Sequence, residues 1–325
     1  MQGVVDMPVI PDGVSPFADI DLALPDRRSG KVRVSYRVDG GHRLLITTDR
    51  LSALDRVVAA VPFKGQVLNQ LAAWWFDQTR HIVPNHVVAI PDPNALIAVE
   101  VTPLPVEVVV RGAITGNTST SLWRLYSEGA RTAYGHRLPE GLRRDSLLDR
   151  PLITPTTKAE AGAHDEPLSV DDVVTRGLVA AGLWSQVQEA ALALFAFGQR
   201  TAAAAGLILA DTKYEFGLDA NGRLLLIDEM HTPDSSRFWE QSSYESRLAA
   251  GEDPESLDKE PIRRALSRVG YTGEGSPPDL GAEVVAETTR RYVTAYERIT
   301  GSAFVPASYP VAIRITSALR SRGIL

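Results

Sequence analysis

The alternation of apolar and polar residues predicts strands in the first third of the chain. Residues 31–38 (KVRVSYRV) follow the two-residue period of a strand, residues 42–49 (HRLLITTD) are interpreted as a second short strand, and the Asp-Gly-Gly sequence at 39–41 favours a turn between them. Residues 106–110 (VEVVV) form a compact apolar run that ends in Arg-Gly at 111–112, which indicates another strand. A sheet is therefore expected early in the chain.

Apolar residues spaced three and four apart predict helices elsewhere. The ranges with this spacing are 67–79, 122–128, 171–205 and 283–299, and the end of the chain has room for one more. Asp49 or Ser52 is a suitable N-cap for a short helix after the second strand. Residues 1–29, rich in Pro and Asp, are expected to be a loosely packed arm. The polar residues 112–169 are interpreted as a long irregular section, which in a compact domain is usually functional or disordered.

The strongest hairpin signal is the Asn-Gly pair at 221–222, which lies between predicted strands at 207–218 and 223–229. If these two residues form the whole loop, counting back along both strands places Glu215 directly opposite Asp228. A four-residue loop would shift the pairing but keep both acids on one face, whereas a bulge would break it. Directly opposed side chains lie about 5 Å apart at their Cβ atoms.

Asp211, Lys213 and Glu215 share one face of this hairpin, because side chains alternate along a strand. The opposed acids Glu215 and Asp228 would repel each other unless a cation lies between them, and Mg²⁺ prefers such oxygen ligands. Mixed charges on a solvated hairpin are the simpler interpretation. The apolar runs LILA and LLLI instead indicate a hairpin buried in a sheet, where carboxylates need partners. A functional site is therefore favoured.

The bulk composition excludes several classes of protein. The chain has 325 residues, 44% of them hydrophobic and 23% charged, with a net charge of -6 and no cysteine. Disulfide frameworks and cysteine nucleophiles are excluded, and an acidic chain is a poor candidate for nucleic-acid binding. The sequence shows no signal peptide and no apolar run of membrane-spanning length, so a cytoplasmic location without membrane contact is expected.

The segment that follows the hairpin, HTPDSSRFW, is a candidate anion contact. Asp234, Ser235, Ser236 and Arg237 lie close together in it, and Arg with Ser suits a phosphate or a carboxylate. The alternative is an Asx turn in which Arg237 pairs with Asp234.

Three further places are candidates for binding an anion. Gly30, Lys31 and Arg33 precede a strand, although a basic strand edge is the simpler interpretation. Arg111 lies at a strand end, where ligands often bind. Lys158 lies among hydroxyl residues in a polar segment, and by itself it indicates little.

Taken together, these segments resemble the SAICAR synthetase family. The matching stretches, in order over roughly residues 30 to 300, are GKVR at 30–33, TDRLSALD at 48–55, PFKGQVLNQLAAWWF at 62–76, IVPNH at 82–86, LPVEVVVRG at 104–112, LITPTTKAEAGAHDEP at 152–167, GLILADTKYEFG at 206–217, LIDEMHTPDSSRFW at 226–239 and LDKE at 257–260.

The resemblance implies an α+β fold with a small kinase-like N-terminal lobe, a larger lobe related to ATP-grasp enzymes, and ATP between them. The implied divisions are an arm at 1–29, lobes at 30–110 and 111–300, and a tail at 301–325. The implied site residues are Gly30, Lys31 and Arg33 over the ATP phosphates, Glu215 and Asp228 as Mg²⁺ ligands, Lys158, Asp211 and Lys213 around the reacting groups, and Ser52, Arg111, Asp234, Ser235, Ser236 and Arg237 at the nucleotide substrate.

The reaction implied by the resemblance uses ATP to activate the carboxylate of carboxyaminoimidazole ribonucleotide, which then joins the amine of L-aspartate in purine biosynthesis. Departures from the family pattern include Ala113, Asn117 and residues 133–135, around the nucleotide site. They leave open a paralogous amide ligase that uses a related heterocyclic nucleotide. A small-molecule kinase of related fold is a second alternative, because Asp211 and Lys213 also match its Asp-x-Lys pattern. A monomer and a dimer are both compatible with the sequence.

Overall fold

Two antiparallel sheets organise the chain, in which the computed structural model describes residues 9–10, 12–38, 40–158 and 165–325. The strands, in chain order, are β1 Arg28–Ser29, β2 Arg33–Val38, β3 His42–Thr47, β4 Arg50–Ala53, β5 Arg56–Ala60, β6 Val87–Asp92, β7 Ala95–Val99, β8 Thr102–Pro103, β9 Val106–Ala113, β10 Thr132–Ala133, β11 His136–Arg137, β12 Leu147–Thr157, β13 Leu207–Leu218, β14 Leu224–Ile227 and β15 Ser236–Glu240.

Helices lie between and after these strands. In chain order they are α1 Lys64–Gln78, α2 Leu122–Ser127, α3 Asp172–Thr175, α4 Ala181–Ala204, α5 Gln241–Ala250, α6 Glu260–Arg268, α7 Gly281–Thr300 and α8 Val311–Arg320. No helix within the described ranges combines the length and the apolar character needed to cross a bilayer.

The first sheet has the strand order β1-β2-β3-β7-β6. Strands β2 and β3 pair from Arg33 opposite Thr47 to Val38 opposite His42, as their alternation predicts. In the predicted turn, Gly40 and Gly41 have φ of 72° and 75°, which suits glycine, and Asp39 lies outside the described residues. The predicted pairing of these two strands is confirmed.

Two segments that are far apart in the chain, one around Phe17 and the other α8, pack on this first sheet. Phe17, from the segment expected to be a loose arm, is buried, and so are Ile315 and Leu319 of α8. Asp49 ties these two parts of the chain together, because its Oδ2 accepts hydrogen bonds from the Phe17 amide at 2.8 Å and from the Tyr309 hydroxyl at 2.6 Å. The expectation of a loose arm is therefore wrong for the part that contains Phe17.

The second sheet has the order β12-β9-β13-β14, with β15 and β8 also paired to β13. Helix α4 packs on β13, and the main apolar core lies between them. The two sheets meet where the Leu226 amide donates to the Pro84 carbonyl at 2.9 Å and Leu226 accepts from the His86 amide at 3.1 Å. This junction brings the end of β14 beside the first sheet.

Several local expectations are corrected. Asp49 does not begin a helix, since β4 follows it; its Oδ1 instead accepts from the Gly65 amide at 3.0 Å and so caps α1. The section 112–169, expected to be irregular, contains the long strand β12 and is therefore partly regular. The predicted lobe boundary between residues 110 and 111 falls within β9, which pairs with the second sheet on both sides of that point.

Candidate active site

A row of charged side chains follows one face of β13. Lys213 Nζ donates to Glu107 Oε1 at 2.9 Å and to Glu215 Oε1 at 3.3 Å. Lys158, at the end of β12, donates to the other oxygen of Glu215 at 2.5 Å. The register of β13 with β9 is unbroken from Asp211 to Tyr214, and Lys213 contacts Glu215, so the shared face predicted from strand alternation is confirmed.

The environment of this row fixes its charges. Burial raises the pKa of Glu215, but Lys213 and Lys158 outweigh that effect and lower the pKa to about 2. Burial lowers the pKa of Lys213, and the nearby Glu215 and Glu107 raise it above its usual value. Burial raises the pKa of Glu107. Glu215 and Lys213 are therefore both ionised at neutral pH. The row places a positive charge beside a carboxylate that can bind a cation.

Asp211 lies at the other end of the row, between two arginines. Its Oδ2 accepts a hydrogen bond from Arg237, and it accepts one from Arg111 at 3.5 Å. Arg237 thus pairs with Asp211, and the Asx-turn alternative that paired it with Asp234 is wrong. Arg111 is further fixed by Thr154, whose hydroxyl accepts from its Nε at 2.8 Å.

These groups line a cavity of about 160 Å³, called here the Asp211 cavity. Its walls bring together residues from β9, the 115–121 turn, β13, the 232–237 segment and α6. They are Val109, Arg111, Thr118, Ser121, Asp211, Thr212, Lys213, Asp234, Ser235, Ser236, Arg237 and Arg263. Four cations and two carboxylates among these residues leave a surplus of positive charge, which suits an anionic ligand.

Asp234 is the centre of a buried ion cluster beside this cavity. Its side chain is only 6% exposed and lies 2.9 Å from Lys64 Nζ and 4.0 Å from Lys259 Nζ. Tyr292 donates its hydroxyl to the same carboxylate. Lys259 also donates to the Ser52 carbonyl at 3.2 Å, so Ser52 reaches this cluster through its backbone. Burial raises the pKa of Asp234, but the two lysines hold it well below its usual range.

The hairpin register differs by one residue from the prediction. Glu215 pairs with Ile227, and Asp228 lies beyond the end of β14 with φ of 65°. The Asp219 side chain explains this, because its Oδ1 accepts from the amides of Asn221 and Arg223, both at 2.9 Å, and stabilises a wider loop. The predicted direct opposition of Glu215 and Asp228 is therefore wrong.

Asp228 nevertheless lies at the same end of the hairpin as Glu215. It forms an ion pair with Arg33 of β2, and Arg33 lies 3.5 Å from Glu229. Lys31 instead pairs with the exposed Asp55 at 2.6 Å, and Gly30 is exposed at the edge of the same sheet. Of the three sequence-predicted residues at 30–33, Arg33 alone is shown in contact with the hairpin acids.

The donor chemistry at this end of the hairpin fits a magnesium ion. Within the described ranges, no group of three or more His, Asp or Glu side chains is arranged as a metal cage. Mg²⁺ does not need one, because it usually takes one or two carboxylates together with phosphate oxygens and water. Glu215 and Asp228 supply that number of carboxylates.

A buried hydrogen bond ties β13 to the segment after β14. Tyr214, between Lys213 and Glu215 in the chain, shares a 2.5 Å hydrogen bond with His231 Nε2. Burial lowers the pKa of His231 to about 3, so the ring is neutral at physiological pH. His231 packs against Gly198 of α4, where a Cβ atom would lie 2.2 Å from its ring.

Gly198→Ala is expected to lower the free energy of unfolding by about 1–3 kcal/mol, because the new methyl group overpacks the His231 site. Urea denaturation monitored by tryptophan fluorescence measures this change. The matched control is Gly182→Ala in the same helix, where a Cβ atom meets no other atom within 4 Å. Equal stability of both variants would contradict the expected close packing.

Some residues of the site were not singled out from the sequence. They are Lys64, Glu107, Lys259, Arg263 and Tyr292. Glu107 had a usable signal, because an acid within the apolar run VEVVV is expected to be buried and to need a partner, which Lys213 supplies. Lys64 had none, since a lysine at the start of a helix is normally exposed and opposed by the helix dipole.

Comparison with known proteins agrees with this arrangement. The sequence profile of the family described as SAICAR synthetase matches residues 26–279. A phosphoribosylaminoimidazole-succinocarboxamide synthase of Legionella pneumophila (strain Lens) is 46% identical over 303 residues, which cover 91% of this chain and 95% of the relative. A chloroplastic protein of the same name from Arabidopsis thaliana is 46% identical over 296 residues, covering 90% and 71%.

Solved structures show the same relationship. A SAICAR-synthase from Saccharomyces cerevisiae, described as complexed with SAICAR, superposes with a TM-score of 0.77 at 32% identity and covers 89% of this chain and 100% of that one. The family profile spans most of the chain, and the alignments cover 95% of the Legionella relative and 71% of the Arabidopsis relative. The chain therefore belongs to the SAICAR synthetase family.

Proposed function

We propose that this chain is an ATP-dependent carboxylate–amine ligase that joins carboxyaminoimidazole ribonucleotide to L-aspartate, giving SAICAR, ADP and phosphate in purine biosynthesis. The observation that carries the proposal is the row along β13. It connects a cationic cavity around Asp211 with an acidic, magnesium-compatible end at Glu215 and Asp228. Family membership supports it independently.

The chemistry needs two kinds of group, and the row supplies both. In the first step a carboxylate oxygen of the ribonucleotide attacks the γ-phosphorus of ATP, giving an acyl phosphate and ADP. Lys213 and Lys158 offset negative charge where the carboxylate and the phosphoryl group meet. Mg²⁺ held by Glu215 and Asp228 would supply further positive charge to the phosphate oxygens. Arg33 is proposed to release Asp228 and turn to the phosphates when ATP binds.

In the second step the amine of aspartate attacks the acyl carbon, the carbon–oxygen bond to phosphate breaks, and the amine loses a proton. Asp211, fixed by Arg111 and Arg237, is placed to accept a hydrogen bond from the incoming amine and orient it. Ser235, Ser236 and the remaining cavity cations are proposed to hold the anionic part of the nucleotide. No protein nucleophile is required.

The test incubates the protein with ATP, Mg²⁺, carboxyaminoimidazole ribonucleotide and L-aspartate. We expect ADP, phosphate and succinocarboxamide to be released in equal amounts, and only when both the ribonucleotide and aspartate are present. If the ribonucleotide carboxylate carries ¹⁸O, one labelled oxygen should appear in the released phosphate, because that oxygen leaves with the phosphoryl group. Mass spectrometry of the phosphate checks this. ADP release that does not depend on either substrate would contradict the ligase proposal.

The same assay separates the alternatives. A kinase would consume ATP without an amino acid and would give a phosphorylated product. A paralogous ligase would form the amide with another heterocyclic nucleotide, which a panel of imidazole and pyrazole carboxylate ribonucleotides would show. Ala113, one of the departures from the family pattern, is buried against Ala210 and Trp239 and is not among the residues that line the cavity. That position gives no support to an altered substrate.

A further inference from the structure

The turn at residues 115–121 forms one wall of the Asp211 cavity and is held by its own side chains. The Ser121 hydroxyl accepts from the Thr118 amide at 3.0 Å and lies 2.7 Å from the Thr118 hydroxyl. Gly116 has φ of 90°, and a Cβ there would lie 2.5 Å from Ser121 Oγ. The turn is therefore held together by its own contacts, with Thr118 and Ser121 on its cavity side.

Two side chains from outside the turn hold this unit at a single atom, the carbonyl oxygen of Thr120. Tyr134 donates its hydroxyl to this oxygen at 2.5 Å, and Arg111 Nη2 donates to it at 3.1 Å. Tyr134 is only 6% exposed and is not among the residues that line the cavity. It therefore lies behind the wall, where it contacts the loop and the Arg111 side chain.

The second hydrogen bond links Tyr134 to the chemistry of the cavity. Arg111 is the residue that also fixes Asp211, and its guanidinium is shared between Thr154, Asp211 and Thr120. If the Thr120 carbonyl loses one of its two donors, the turn can move away from Arg111. The distance between the hydroxyls of Thr118 and Ser121 and the cavity arginines then changes.

We propose that Tyr134 is a positioning residue for substrate binding: it holds the 115–121 turn against Arg111, so that the Asp211 cavity keeps the width that a phosphate group needs. The cavity is lined by four cations and two carboxylates, and this surplus of two positive charges matches a phosphate dianion. This inference rests on the proposed function only in naming the ribonucleotide as the molecule that carries the phosphate.

The test compares Tyr134→Phe with Tyr126→Phe. Both tyrosines belong to the same apolar cluster, and each donates its hydroxyl to a backbone carbonyl, Tyr126 to that of Pro139 at 3.1 Å. Tyr126 does not contact the 115–121 turn through this bond, so it reports the general cost of losing a buried hydroxyl. Thermal unfolding of both variants shows that cost directly.

In Tyr134→Phe we expect KM for the ribonucleotide to rise about tenfold, because one positioning hydrogen bond is lost, while kcat and KM for ATP change less than about twofold. The Kd of inorganic phosphate, measured by calorimetry without turnover, should rise by a similar factor. Tyr126→Phe should match the wild type in both quantities. Unchanged KM and Kd in Tyr134→Phe, or equal rises in both variants, would overturn the positioning role.

The two proposals fail separately. If the wild-type protein forms no succinocarboxamide, the proposed function falls, and the phosphate Kd of the two variants alone decides the role of Tyr134. If the wild type is active and Tyr134→Phe binds both ribonucleotide and phosphate normally, the function stands and the positioning role is lost.

Discussion

Glu215→Gln is expected to lower kcat at least about a hundredfold while the protein remains folded. Glutamine keeps the size of the side chain but removes the charge that two lysines share, since Lys213 and Lys158 both donate to this carboxylate. The two cations would then repel each other, and one of the two proposed Mg²⁺ ligands would be lost. Steady-state kinetics over a range of Mg²⁺ concentrations measure both effects.

If Glu215 is a Mg²⁺ ligand, Glu215→Gln should also raise the Mg²⁺ concentration needed for half-maximal activity. Glu140→Gln is a suitable control, because Glu140 is 78% exposed and pairs with Arg131 far from the row. Circular dichroism should show both variants folded. Wild-type turnover in Glu215→Gln at limiting Mg²⁺ would remove this residue from the metal site.

Asp234→Asn is expected to lower the free energy of unfolding by about 3–5 kcal/mol, since it leaves Lys64 and Lys259 buried without their shared carboxylate. Urea denaturation at neutral pH measures the loss. Asp19→Asn, which removes an exposed partner of Arg27, should change stability by less than about 1 kcal/mol. The double variant with Lys64→Met should recover part of the loss, because one of the two uncompensated charges is gone.

The pH dependence of this difference has a defined sign. The folded protein holds the pKa of Asp234 below its usual value, so the carboxylate stabilises the fold fully above about pH 3.9, the value of an unfolded Asp. Below that pH the unfolded chain takes up the proton first, and the advantage of the wild type shrinks. Unfolding midpoints of wild type and Asp234→Asn should therefore converge in acid. If Asp234→Asn does not fold, Tyr292→Phe, which removes one donor to the carboxylate, tests the same cluster with a smaller change.

Local patterning predicted most of the elements but failed where a distant side chain decides the backbone. The long strand at 207–218 and the helix at 67–79 follow from periodicity, although α1 begins earlier, at Lys64. Asp49, which lies between β3 and β4, caps that earlier start with its side chain. Nothing in the residues next to Lys64 carries this information, because the cap is a tertiary contact.

Helices α5 and α6 escaped prediction for another reason. Their sequences, QSSYESRLAA and EPIRRALSR, are short and mainly polar, and they bury only one and two side chains respectively. Proline at the second position of α6 is compatible with a helix start, but it is as compatible with a loop. Only packing against α7 distinguishes these possibilities.

The sequence predicted which charged residues share the face of β13, but it did not predict which of them pair with each other. The shared face of Asp211, Lys213 and Glu215 depends only on strand alternation, which is robust. The partner of Asp228 depends on the register, and a single side chain, Asp219, moved the register by one residue. Which arginine pairs with Asp211 depends on how three strands align, a property of the sheet as a whole.

The order in which a ribosome makes the chain bears on the contacts of Asp49 with Phe17 and Tyr309, which join an early segment to a late one. Strands β2 and β3 are synthesised early, yet α8, which covers part of their apolar face, is synthesised nearly three hundred residues later. The first sheet therefore stays partly uncovered until α8 is made, after the second sheet and α4 have been synthesised. Translation that stops before Tyr309 would leave the first sheet without α8 and without the hydrogen bond from Tyr309 to Asp49, and a partly exposed apolar face of this kind is prone to aggregation.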